Sequence, residues 1–309
     1  MTRLSQEEAL DLALHCSEQE LFASATRLRE AAFGKRVELC AIINARSGNC
    51  SMDCRFCSQS RHNPTHVAVF PLLDKAVLRE RLAMLADQPV RHVGIVTSGG
   101  ALAGEEFERL RELVAACPPV LRAKVCASLG RLSLTQLEQL REAGLTRFHH
   151  NLETDEAYYP QVCTTQRWQD RLATTRNVRA AGLALCSGGL FGMGETWTDR
   201  INFALRLREE GAENVPLNFL YPHPHTPLGG QAPLPASEAL RIIAVFRHIL
   251  PQATLRVCGG RPLVLGSRQH ELFAAGANAL MTGDYLTTQG EGLAQDIAMI
   301  EACGLELVQ

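Results

Sequence analysis

The sequence predicts an α/β protein, a (β/α)8 TIM-type barrel with an N-terminal helical extension, and three observations carry that reading. Short segments rich in β-forming residues alternate with amphipathic helical stretches, the pattern of successive βα units on a parallel sheet. Eight such strands follow residue 36, the number that closes a barrel of this kind. Several of the intervening helices end on glycine, which takes the left-handed conformation after a last helical turn most readily.

Residues 1–36 read as two helices. Ser5 and Glu8 have the spacing of a capping box ahead of EEALDLALH, and EQELFASATRLREAAFG closes on Gly34. Strands are expected at 37–45 (VELCAIINA), 92–98 (HVGIVTS), 123–129 (AKVCASL), 147–153 (RFHHNLE), 183–191 (LALCSGGLF), 214–221 (NVPLNFLY), 254–260 (TLRVCGG) and 278–284 (NALMTGD). Helical patterns between them include GEEFERLRELVAAC, LTQLEQLREAG, RWQDRLATTRNVRAAG, ETWTDRINFALRLREEG, ASEALRIIAVFRHIL and ELFAAG. GEGLAQDIAMIEACG supplies a closing helix within 289–309. The Pro- and His-rich stretch 221–235 is a long loop after the sixth strand, at the end of a barrel where loops build active sites. One domain over 1–309 is expected, with the barrel at 37–288.

Composition narrows the setting. Hydrophobic residues at 46% and charged residues at 21% are those of an ordinary globular protein. A formal net charge of −2 gives no electrostatic footprint for nucleic acid or an anionic membrane. The N-terminus lacks the apolar core of a signal peptide, and no apolar run reaches the ~18 residues of a spanning helix. A cytoplasmic protein is expected. There, eleven cysteines point to metal binding or catalysis rather than disulfides.

The sharpest motif is NCSMDCRFCSQS, which places Cys50, Cys54 and Cys57 in one loop directly after the first strand. Incidental burial would call for helical or strand periodicity, which the segment lacks. Structural zinc would need a fourth ligand, for which His62 is the candidate, without the paired spacing of a zinc knuckle. Three thiolates suit a four-iron cluster that leaves one iron without a protein ligand, whereas electron-transfer clusters use four.

This loop, with Phe56 just before its last cysteine, resembles the signature of radical S-adenosylmethionine (SAM) enzymes. The resemblance implies a [4Fe-4S] cluster whose open iron chelates SAM, and a deoxyadenosyl radical that abstracts hydrogen from unactivated carbon. Residues 149–196, 275–288 and 125–133 resemble the biotin synthase family more closely still. That likeness implies that Asn151 and Asn218 hold the ureido end of dethiobiotin. It implies that Glu153 accepts from the SAM ribose, on a longer arm than the family's Asp, and that Arg171 pairs with the SAM carboxylate. Backbone carbonyls of the Thr97–Ser98–Gly99–Gly100 turn would take the SAM amino group. Asn151 and Glu153, two apart on an expected strand, should face the same side; Arg171 read by itself could be a solvated helix arginine. His149 and His150 should face opposite sides, with at most one in the lumen.

The family's second cluster, a sulfur-donating [2Fe-2S] unit on three cysteines and an arginine, finds matches here in Cys126, Cys186 and Arg256, while the second-strand cysteine is missing from HVGIVTSGG. Cys40 and Cys258 lie on other odd-numbered strands, and alternate strands of a barrel fill the same interior layer. Cys40, Cys126, Cys186 and Cys258 are therefore expected to converge on an auxiliary iron–sulfur cluster of the four-iron type, with Arg256 as ligand or neighbour. The opposing reading makes Cys40 and Cys258 small core residues. Cys16, Cys117, Cys163 and Cys303 are expected to be packing or surface thiols.

The expected activity is therefore that of a radical SAM sulfurtransferase, inserting sulfur between C6 and C9 of dethiobiotin. A flavodoxin- or ferredoxin-like electron donor and a homodimer are implied by the resemblance. Two alternatives stand beside it: another radical SAM reaction on a related barrel, such as a methylornithine synthase-like mutase or a hydrogenase maturase, and a non-catalytic iron–sulfur carrier.

Overall fold

The computed structural model describes residues 4–308. Two helices open the chain, α1 (Gln6–His15) and α2 (Glu18–Phe33). Ser5 caps α1 in a reciprocal box, its hydroxyl accepting from the Glu8 amide and its own amide donating to the Glu8 carboxylate. The barrel then runs β1 (Arg36–Arg46), α3 (Lys75–Ala86), β2 (His92–Thr97), α4 (Gly104–Ala116), α5 (Pro119–Arg122), β3 (Val125–Ser128), α6 (Leu134–Glu142) and β4 (Arg147–His149). It continues through α7 (Trp168–Ala180), β5 (Ala184–Cys186), β6 (Gly189–Phe191), α8 (Trp197–Glu209), β7 (Asn214–Phe219), α9 (Ala236–Ile249), β8 (Thr254–Val257), α10 (Arg261–Leu265) and β9 (Ala279–Met281). Helix α11 (Leu293–Ala302) and strand β10 (Glu306–Val308) complete the described chain.

The strands are parallel, and β9 pairs with β1 through Glu38–Ala279 and Cys40–Met281, so the sheet closes into the eight-stranded barrel that the alternation predicted. Four details differ from the expectation. The fifth strand is broken at Ser187–Gly188 into β5 and β6, and there Gly188 and Gly189 lie so close to the backbone of Pro216 and Glu153 that a β-carbon would not fit. The fourth strand ends at His149, well short of Glu153. ELFAAG is not a helix. The short α10 runs into a 3-10 turn over Gly266–Leu272, with Gly266 at φ 50° marking the end of α10. Finally, β10, unforeseen in the sequence, adds to the start of β1 at Arg36–Glu306.

The N-terminal extension has a packing reason. Helix α9 is apolar on nearly all sides, burying Leu240, Ile242, Ile243, Val245, Phe246 and Ile249. A helix apolar all round must be covered on its outer face too. α1 and α2 supply that cover with Ala9, Ala13, Leu21 and Ala25, and Arg241 ties the corner between them by donating to the Ala13 and Cys16 carbonyls. Each Leu, Ile, Val or Phe side chain so buried contributes about 1.5–3 kcal/mol, and each Ala correspondingly less. Arg247, fully buried in α9, donates to the carbonyls of Gly276, Leu250, Pro251 and Ala253 and to Asn278 Oδ1, satisfying the frayed end of its own helix.

Candidate active site

At the C-terminal ends of the strands the barrel holds a cavity of about 440 Å³. Its wall includes Cys50, Cys54 and Cys57, the Ser98–Gly100 turn, Asn151, Glu153, Arg171 and Asn218, and also Cys40, Cys126, Cys186, Cys258 and Arg256. The structure thus gathers every sequence-predicted site residue on one cavity.

The thiolate loop is built by its polar neighbours. Gly48 (φ 71°) and Asn49 (φ 51°) turn the chain out of β1. The Gln59 side chain accepts from the Gly48 amide at 3.0 Å, its carbonyl accepts from the Cys50 amide at 2.9 Å, and Asn63 Nδ2 donates to the carbonyls of Cys54 and Cys57. Gln59, Ser60 and Asn63 went unremarked in the sequence, since loop residues that serve backbone groups have no periodic signature. Phe56 packs with Val162, Leu190, Met193, Leu220 and Leu228, an apolar plug beside the last cysteine. Burial pushes the Cys57 thiol up to about 11 and raises Cys54 as well, where a hydrogen bond to Cys163 comes first. Among the described residues no three Cys, His, Asp or Glu side chains close on one point as the ligands of a single ion do. His62 contacts the Ser51 carbonyl instead of joining the thiols. Three thiols spread along one cavity wall fit a multi-iron cluster, and the donor set fits it chemically.

Behind the loop lies an anchored polar group. Arg171 Nε donates to the Tyr159 hydroxyl at 2.8 Å and Nη1 to the Asn151 carbonyl at 2.9 Å, with Glu153 Oε1 at 3.5 Å. It is therefore a buried, oriented cation, and the solvated-helix alternative falls away. Burial opposes its charge, but Glu153, then Tyr159 and Cys54, hold its pKa above the ordinary value. Burial raises the Glu153 carboxyl, against Arg171 and Asn151. Asn151 and Glu153 meet, Nδ2 to Oε2 at 3.4 Å, though not by strand alternation: Glu153 lies past β4 at φ 72°, in a turn that pairs with Gly189. Asn151 Oδ1 accepts from the Gly188 amide, while Asn218 bridges the Gly189 carbonyl and the Gly259 amide. At the β2 end the Ser98 carbonyl accepts from Arg46 and the Gly100 carbonyl from the Arg131 amide, and Gly99 takes φ 103°.

Deeper in the barrel, Cys40, Cys126, Cys186 and Cys258 are all buried. The layer is not made by odd-numbered strands alone. His92 on the second strand and Arg147 and His149 on the fourth line it too. His149 faces the lumen, with Nδ1 3.3 Å from Cys186 Sγ; burial, then Arg171 and Arg256, lowers it to about 4. His150 also borders the cavity, against the expectation of one lumen histidine at most. Arg256 donates to Glu38 at 3.1 Å, and burial raises all four thiols while Arg147 or Arg256 pulls against it. Of the remaining cysteines, Cys117 and Cys163 are buried, Cys16 is half-buried and Cys303 is exposed.

Comparison with known proteins shows the family. Residues 45–207 match the radical SAM superfamily, and residues 216–306 match the Biotin and Thiamin Synthesis associated domain. The chain is 61% identical over 306 residues to a biotin synthase of Desulfovibrio desulfuricans, covering 99% of this chain and 96% of that one. It is 45% identical over 313 residues to a biotin synthase of Nitratidesulfovibrio vulgaris, covering 98% and 86%. Among solved structures, methylornithine synthase superposes with a TM-score of 0.83 at 20% identity, covering 100% of this chain and 95% of that one. The FeFe-hydrogenase maturase of Carboxydothermus hydrogenoformans superposes with a TM-score of 0.81 at 18% identity, covering 99% and 76%. At those identities the two structures speak to the fold alone. A thiolate triad at the mouth of a closed βα barrel, with relatives this similar over nearly its whole length, makes the chain a member of the biotin synthase family of radical SAM enzymes.

Proposed function

We propose that this enzyme is a sulfurtransferase that inserts sulfur between C6 and C9 of dethiobiotin to form biotin. When bound, a [4Fe-4S] cluster with SAM supplies a hydrogen-abstracting radical, and an auxiliary iron–sulfur cluster supplies the sulfur. The chain's own residues divide the remaining work. Cys50, Cys54 and Cys57 hold the first cluster at the mouth. Arg171, fixed by Tyr159 and the Asn151 carbonyl, meets the SAM carboxylate, a charge-assisted contact that a preorganised guanidinium makes well. Glu153 accepts from the ribose hydroxyls, and the Ser98–Gly100 turn faces the amino group.

Asn151 and Asn218 each spend part of their amide on the barrel backbone. The capacity left on each suits a ureido group, which offers one carbonyl and two N–H donors. Below them Cys40, Cys126, Cys186 and Cys258 would hold the auxiliary cluster. Four thiols in this layer, in place of three with an arginine, support the four-iron type, and the guanidinium groups of Arg147 and Arg256 offset part of the negative charge that bound thiolates would bring. The surrounding barrel excludes water from the reacting carbons. A flavodoxin- or ferredoxin-like protein would deliver the electron.

The observation that carries the reading is that both sets of thiols open onto the cavity that Asn151 and Asn218 line. Anaerobically reconstituted enzyme given dethiobiotin, SAM and reductant should form biotin. Deoxyadenosine without biotin would refute the sulfur-donor reading.

A further inference from the structure

Asp53 belongs to the thiolate loop by sequence, yet its carboxylate is committed to another segment. Oδ1 accepts from the Thr164 amide at 2.9 Å, the Thr165 amide at 3.1 Å, the Thr165 hydroxyl at 2.9 Å and Cys163 Sγ at 3.1 Å. Oδ2 accepts a short hydrogen bond from the Thr164 hydroxyl. The connection is reciprocal, because the Asp53 amide donates back to Thr165 Oγ1 at 3.0 Å. Next to it the Arg55 amide donates to the Val162 carbonyl at 3.0 Å.

What these bonds join matters more than how many there are. Residues 162–165 connect the 3-10 turn Tyr159–Gln161 to α7. Tyr159 on one side and Arg171 on the other are bonded to each other, hydroxyl to Nε at 2.8 Å. The segment gripped by Asp53 is thus flanked by Arg171, which carries the guanidinium, and by Tyr159, whose hydroxyl helps to fix it. In the reading proposed above, a cluster held on the Cys50–Cys54–Cys57 loop would chelate SAM through its open iron while the Arg171 guanidinium would meet the SAM carboxylate. They come from different parts of the chain, and their separation must be held to a fraction of an ångström for both to engage.

We propose that Asp53 is a positioning residue: it locks the thiolate loop to the Cys163–Thr165 turn and thereby sets the spacing between the cluster and Arg171. The ionised carboxylate makes all of these bonds charge-assisted, whereas an asparagine keeps a single carbonyl oxygen for the Oδ1 donors, loses the charge, and must reverse the bond to the Thr164 hydroxyl. The inference rests on the radical SAM reading of the site.

The test uses the reconstituted holoenzyme with Asp53→Asn, the near-isosteric Thr165→Val, and Thr165→Ser as the conservative rescue. Iron per chain, SAM affinity by equilibrium dialysis, the change that SAM causes in the EPR spectrum of the reduced cluster, and amide exchange at residues 164 and 165 are measured. Asp53→Asn should speed exchange at both amides. Together with Thr165→Val it should weaken SAM binding roughly tenfold or more and blunt the spectral change, with iron retained. Thr165→Ser should behave as wild type. Wild-type SAM affinity in Asp53→Asn would overturn the proposal. So would loss of iron in both Asp53→Asn and Thr165→Val, since that marks a loop that merely fails to assemble. If Asp53→Asn alone loses iron, Thr165→Val decides by its SAM affinity. Failure of the wild type itself to hold iron on the triad or to bind SAM would instead remove the underlying reading.

Discussion

Arg171 and Glu153 face each other at 3.5 Å with both side chains largely shielded from solvent, a separation at which neither group uses up the other. The guanidinium keeps its tight bonds for the Tyr159 hydroxyl and the Asn151 carbonyl and is aimed by them. Replacing Arg171 by Lys preserves charge but loses the fork, and SAM affinity should fall about tenfold, or ~1.4 kcal/mol. Arg171→Ala should cost more. Calorimetry on reconstituted protein reads both, and unchanged affinity in Arg171→Ala would remove this residue from the SAM site.

The two sets of thiols should separate under mutation. Cys54→Ala should abolish deoxyadenosine formation. Cys126→Ala and Cys258→Ala should keep SAM cleavage and lose biotin, with iron per chain lowered but not abolished. Chromatography of both products with iron analysis distinguishes the cases. Full biotin turnover in Cys126→Ala would discard the deep layer as a sulfur source.

Arg261 and Asp296 form a fully buried ion pair at 2.7 Å that fastens α11 to α10. Removing one partner leaves a charge buried without its counterion, which costs about 3–5 kcal/mol. Asp296→Ala should be destabilised on that scale in urea unfolding. Replacing both residues together by Met and Leu should recover most of the loss, because the isolated charge, rather than the missing attraction, dominates.

A pH response should come from the seam between α2 and α9. His248 Nδ1 lies 2.8 Å from the Ala244 carbonyl and Nε2 lies 2.9 Å from the Ser24 hydroxyl. Burial first, then Arg247 and Arg27, lowers its pKa below the ordinary value. The unfolded chain therefore binds the proton more readily. Stability present above about pH 6.5 is lost as pH falls toward the folded pKa, at up to ~1.4 kcal/mol per unit. Urea midpoints at pH 7 and 5.5 should lie closer together in His248→Gln than in wild type. An identical pH slope in the two proteins would refute this.

The barrel was legible in the sequence because strand and helix periods differ, and every expected strand has a counterpart in the sheet. β10 was not, since Glu306–Val308 is too short to show a period. ELFAAG looked helical by composition, but Gly266 and the tight 3-10 path before it take precedence. The thiolate triad was legible from spacing alone. The Asn151–Glu153 pair was found by resemblance and supported by an alternation argument that does not hold, since a left-handed turn at Glu153 brings the two together. Arg147 and His149 were missed as members of the deep layer because they sit on an even-numbered strand. Asp53 and Gln59 were missed because a loop side chain that bonds main chain leaves no mark in the order of residues.

The broken fifth strand constrains any redesign of substrate scope. A β-carbon on Gly188 would fall on the Pro216 carbonyl and one on Gly189 on that of Glu153, so neither position accepts a larger residue. The same two residues receive Asn151 and Asn218 through their amide and carbonyl. These two glycines stand behind the cavity wall, packed against neighbouring backbone, and have no side chain to trim. A library aimed at bulkier ureido analogues would gain nothing by randomising them. The adjustable positions lie opposite, at Tyr285, Leu286, Thr287 and Thr288, where side chains line the cavity.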